Sequence, residues 1–83
     1  MSNTFSDTIE KKYCLIGEVA GILNEHPSTV RYWVVAFGLE VKKTHTLRHF
    51  SKENIADLHR IKYLLRDEKF TLEGAKKKFK ATV

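Results

Sequence analysis

Residues 16–50 read IGEVAGILNEHPSTVRYWVVAFGLEVKKTHTLRHF, two short amphipathic patterns followed by a basic, β-prone segment. Ile16, Val19, Ala20 and Leu23 recur at i, i+3, i+4 and i+7, which places them on one face of a helix about two turns long. Val30, Trp33, Val34 and Phe37 repeat that spacing after Pro27, whose fixed φ and missing N–H suit the first position of a helix. Gly38 follows as a natural stop. Only Asn24, Glu25 and His26 separate the two patterns, a connection short enough to force two helices to cross steeply. The glycine usual in such a turn is absent, and Asn24 takes its place as a residue that tolerates the left-handed conformation.

The flanking sequence completes the outline. Residues 40–50 hold two β-prone pieces, one around Val41 and one over 47–50, joined through Thr44, His45 and Thr46. They predict a small hairpin, and the lack of a glycine at its tip predicts a connection that is either longer than two residues or mobile. Ser51 is placed to cap a third helix with an apolar stripe of Ile55, Leu58, Ile61, Leu64 and Leu65, reaching about Arg66. Thr71 is placed to cap a fourth, with Leu72, Ala75 and Phe79 inward and Lys76, Lys77, Lys78 and Lys80 outward. In the first turn of the first helix, Glu18 favours the positive end of the helix dipole, while Leu15, just before it, offers no capping oxygen. Together these patterns predict a mainly α chain with a small β-hairpin wing: a winged helix-turn-helix of about four helices. Residues 1–12 read as a loose polar leader, 13–80 as the domain and 81–83 as a tail.

Composition narrows the function classes. An 83-residue chain supports one small core, from which a ligand pocket of roughly 300 Å³ could hardly be carved, so the expectation is a binding module and not an enzyme. Fifteen basic and ten acidic residues give a net charge of +5, the sign of a polyanion partner, although a solvated basic surface explains the same count. Cys14 is the single cysteine, which excludes an internal disulfide and a cysteine-paired zinc site. The histidines show no metal-ligand spacing, so no metal and no cofactor is expected. No apolar run approaches the ~20 residues of a spanning helix, and residues 1–12 lack the apolar stretch of a signal peptide; the expected setting is the reducing cytoplasm, without a membrane partner.

Double-stranded DNA is the polyanion that this outline suits. The second helix sets its apolar stripe against a side bearing Ser28, Thr29, Arg31, Tyr32 and Val35, and the major groove admits one such helix. Ser28 and Thr29 stand at its start, either as phosphate or base-edge contacts or as capping residues. Arg31 can fork onto guanine or phosphate, and Tyr32 can offer its hydroxyl to a phosphate or lie half-buried. Trp33 and Phe37 belong to the core stripe. Lys42, Lys43, Arg48 and Lys52 cluster around the hairpin with no acidic residue between Val41 and Lys52, a wing suited to phosphates, with His49 as a polar neighbour whose protonation would couple binding to mild acid. The KKKFK run at residues 76–80 reads as a solvated helix end.

The succession IGEVA, PSTVRYW, FGLEVKK, LRHFS and IADLHRIKYLLRDEKFTLEGAKKKF resembles the amino-terminal DNA-binding domain of the MerR family of bacterial regulators, over about residues 13–79. The resemblance implies residues 27–37 as the reading helix, 42–50 as the wing and the last two helices as a brace. It also implies DNA contacts by Ser28, Arg31 and Tyr32, and by Arg48 as the wing arginine. The chain departs from the family pattern at Leu15, where Ser or Thr is usual, at Asn24, Glu25 and His26, where Gly-Val-Ser is usual, and at Val34, usually acidic. Its wing reads Thr46, Leu47, Arg48, His49, Phe50 against Gly-Tyr-Arg-x-Tyr. The resemblance implies a bacterial, nucleoid-associated transcriptional regulator whose full-length form dimerises through a segment absent here. An excisionase-like architectural DNA binder is one alternative. A helical protein-interaction module with a basic face is the other.

Overall fold

In the computed structural model, which describes residues 13–45 and 47–81, the chain runs β1 (Tyr13–Leu15), α1 (Ile16–Leu23), α2 (Pro27–Ala36), β2 (Lys42–Lys43), β3 (Arg48–Ser51), α3 (Lys52–Lys62, prolonged by a π-helical turn over Tyr63–Asp67) and α4 (Leu72–Ala81). The leader read over residues 1–12 lies outside the described residues. Mostly helical, with four α-helices and one small sheet among the described residues, this is the winged helix-turn-helix that the periodicities predict.

α1 and α2 form because each buries the stripe its spacing defines: Val19, Ala20 and Leu23 on one, Val30, Trp33 and Val34 on the other. Leu15 cannot cap α1, and the Glu18 carboxylate compensates by accepting the Leu15 N–H at 2.9 Å, half of a capping box. Asn24 then adopts φ 57°. The Glu25 N–H donates to the Ala20 carbonyl at 3.0 Å and the Asn24 N–H to Gly21 at 3.2 Å, the paired bonds that close a helix end in the Schellman manner. α2 ends identically, with Gly38 at φ 64° and bonds from Leu39 to Val34 at 3.0 Å and Gly38 to Val35 at 3.2 Å.

The start of α2 corrects the capping alternative for Ser28 and Thr29. Pro27 fixes the first helical position, so the cap falls on His26, whose Nδ1 accepts the Ser28 N–H at 3.2 Å and lies 2.8 Å from the Ser28 hydroxyl.

The sheet has three strands in the order β1-β3-β2, all antiparallel. A two-stranded hairpin is what the sequence predicts; Tyr13–Leu15 joins as the third strand, pairing Cys14 with Phe50 and Leu15 with His49. Three residues are too few to show an alternation, and their partner lies far along the chain. The hairpin connection is also tighter than expected. Pairing continues beyond Lys42–His49 and Lys43–Arg48 to Thr44, whose N–H donates to the Leu47 carbonyl at 2.9 Å.

Phe50 drives the sheet into the core, where it is fully buried with Val19, Leu23, Val30, Leu58 and Ile61. α3 starts at the expected cap: Ser51 Oγ accepts the Asn54 N–H at 3.1 Å, while Asn54 Oδ1 accepts the Ser51 N–H at 3.0 Å. Leu58, Ile61 and Leu64 are buried and Ile55 and Leu65 flank them. Thr71 Oγ1 caps α4 by accepting the Gly74 N–H at 3.1 Å. Ala75 and Phe79 are buried there, Leu72 only half so, and Phe79 meets Phe37 edge-on with centroids 5.5 Å apart. Among the described residues no helix is long and apolar enough to cross a membrane.

Candidate nucleic-acid interface

α2 is two-faced. Val30, Trp33 and Val34 are sequestered, so the same helical spacing carries Ser28, Arg31, Tyr32 and Val35 onto the opposite side, where all four are exposed. Tyr32 is 56% exposed and Val35 74%. Thr29, grouped with these from sequence, is half-buried on the flank. A hydroxyl, a guanidinium and a phenol thus project together from one rigid element, a donor set suited to phosphates and base edges.

The orientation of that face is fixed from behind by a clamp that sequence reasoning did not reveal. Glu25, in the turn between α1 and α2, accepts two bonds from Arg66: Nε to Oε2 at 3.1 Å and Nη2 to Oε1 at 2.9 Å. Lys62 Nζ lies 3.7 Å from Glu25 Oε2 and also donates to the Leu23 carbonyl at the end of α1. The Arg66 guanidinium sits 5.5 Å from the centroid of the Trp33 ring, on the buried side of α2. The Arg66 hydrogen bonds hold the Glu25 carboxyl below the usual carboxylate range, against the opposing effect of burial. The sole signal in the sequence is that Lys62 and Arg66 fall one turn apart on α3, which says nothing of the distant acid.

In the wing, Lys42 and Lys43 are exposed and Arg48 and His49 half-buried. The register splits them into two pairs. Opposed residues share a face, so Lys43 and Arg48 extend the side that carries Cys14 and Phe50, while Lys42 and His49 lie on the side of Tyr13 and Leu15. On that second face Lys42 Nζ is 5.3 Å from the Tyr13 ring centroid, the Tyr13 and His49 rings meet edge-on at 6.3 Å, and Thr44 Oγ1 lies 3.2 Å from His49 Nε2. What reads as one basic cluster is a ribbon with Lys43 and Arg48 on one side and Lys42 on the other. Lys52 is exposed at the start of α3.

Lys77, Lys78 and Lys80 are exposed along α4 and Lys76 half-buried. Lys76 and Lys80 line a shallow groove together with Phe79 and the end of α2, from Val35 to Gly38. Among the described residues no group of three or more His, Cys, Asp or Glu side chains is arranged to hold a metal ion.

Comparison with known proteins agrees with this architecture. The Regulator protein TubY of Clostridium botulinum C phage is 38% identical over 77 residues, which is 90% of this chain and 32% of that relative, so the chain spans about a third of its length. Residues 14–82, from the first strand to the end of the last helix, match the family described as MerR HTH family regulatory protein. With that match across both helices of the turn, the wing and the bracing pair, the chain belongs to the MerR HTH family of regulatory proteins.

Proposed function

We propose that this chain is a sequence-specific, double-stranded DNA-binding module of a transcriptional regulator, with α2 in the major groove and the β2–β3 ribbon against the backbone or minor groove. The observation that carries the reading is the exposed stripe Ser28, Arg31, Tyr32 on a helix whose other side is buried. Arg31 is the base-reading residue and Ser28 and Tyr32 hold phosphate, with Thr29 beside them at the helix start. Lys42, Lys43 and Arg48, with Lys52 immediately after β3, form the wing contact and His49 is a polar neighbour; four phosphates neutralised by these cations would give a log-log salt slope of roughly −3 to −4. The module carries out no catalysis. It works in the bacterial cytoplasm at the nucleoid, and the name Regulator protein borne by the phage relative supports regulation over a purely architectural role. As part of a homodimer it would meet half-sites about 34 Å apart.

Duplexes enriched from a random pool, titrated at two salt concentrations, test this. Arg31→Ala is expected to relax sequence preference and cost about 1–3 kcal/mol, whereas Lys43→Ala weakens all duplexes alike and reduces the salt slope by about one. Equal losses on enriched and random DNA for Arg31→Ala would remove the base-reading role. A helical protein-interaction module would show no saturable, sequence-dependent binding at all.

A further inference from the structure

We infer that Val35 is a specificity-determining residue of the reading helix, recognising the C5-methyl group of a thymine; the inference rests on the DNA-binding reading above. Val35 is the most exposed of the large hydrophobic side chains among the described residues, at 74%. An isolated exposed valine needs no explanation, but this one is not isolated in direction. It completes the i, i+3, i+4, i+7 stripe of Ser28, Arg31 and Tyr32, one turn beyond Arg31 on the same side of α2. Cations stand beside it: Lys76 and Lys80 line the same shallow groove, together with Phe37 and Phe79, so an approaching polyanion would be drawn to the place where this apolar side chain is exposed. In the major groove the one apolar feature of a base edge is the thymine methyl group. A β-branched side chain with few rotamers loses little freedom in meeting it. At about 1.5 Å rise per residue, Val35 lies about 6 Å along the axis from Arg31, so the thymine falls within about two base pairs of the position that Arg31 reads.

Replacing each dT of an enriched duplex in turn by deoxyuridine deletes only that methyl group. For the unsubstituted chain, one such replacement near the Arg31 position is expected to weaken binding about three- to fourfold, and Val35→Ala is expected to bind the dT and deoxyuridine duplexes equally. The substitution is on an exposed position and leaves the core intact, which thermal unfolding of the same sample checks. Sequence-dependent binding with no methyl-sensitive thymine in that window, or sensitivity that survives in Val35→Ala, overturns the role of Val35 while leaving the DNA reading in place. Absence of any sequence-dependent binding overturns both.

Discussion

Glu25 shows how a single turn residue sets the pose of a reading helix. Its carboxylate, with the side chain only 10% exposed, joins the turn to α3 through Arg66 and Lys62. Arg66 itself is 52% exposed, so solvent screens its side of the pair and the net contribution is modest. Arg66→Ala is expected to destabilise the fold by about 1 kcal/mol in urea titration, because Glu25 loses both hydrogen bonds and keeps only Lys62, at 3.7 Å, as a partner. Arg66→Lys should recover only part of this, since one ammonium cannot make both bonds. A pH dependence follows from the same contacts. The folded carboxyl is held below its ordinary value, so the unfolded chain takes up the proton first. The contribution is complete above the unfolded pKa of about 4.3 and is lost as pH falls below it through the folded value. Glu25→Gln should therefore flatten the loss of stability between neutral pH and that acid range, read from urea midpoints at each pH.

At the scale of elements, α1 and α2 end in the same hydrogen-bond pattern with different residues, Asn24 at φ 57° and Gly38 at φ 64°. A left-handed conformation costs an ordinary L-residue roughly 1–2 kcal/mol, so Asn24→Ala is expected to cost about 1 kcal/mol of unfolding free energy and Asn24→Gly to change it by less than about 0.5 kcal/mol. The start of α3 answers to a different constraint. Asn54 is buried, accepts the Ser51 N–H and donates through Nδ2 to the Glu40 carbonyl at 3.0 Å. That last bond ties α3 to the segment leading from α2 into the wing. A carboxylate could replace the acceptor but has no N–H to give, so Asn54→Asp is expected to cost about 1–3 kcal/mol, measured as a fall in the urea midpoint.

For the whole molecule, the proposed contacts lie on α2 and the β2–β3 ribbon, whereas α3 contributes its stripe to the core and Lys62 and Arg66 to the clamp. Adding an enriched duplex should therefore shift amide resonances across residues 28–35 and 42–49 and leave those of Leu58, Ile61 and Leu64 nearly unmoved; changes spread evenly over the chain would deny a localised interface. The elements were legible in the sequence because each is announced locally: helical periodicity for α1 to α3, Pro27 and Gly38 as punctuation, Ser51 and Thr71 as caps. Arg31 was legible as outward-facing for the same reason, since a helix with one apolar stripe must turn its other side to solvent. β1 was not, because three residues become a strand only when β3 presents its edge. Nor was the division of the wing cations between two faces, which depends on pairing register, a relation between segments. The clamp on Glu25 and the bond from Asn54 to Glu40 likewise join groups distant in the chain. The sequence alone determined which side of each element avoids water, because burial of apolar surface follows from local spacing; tertiary structure decided how the elements are held against one another, because those hydrogen bonds exist only once the chain has brought their partners together.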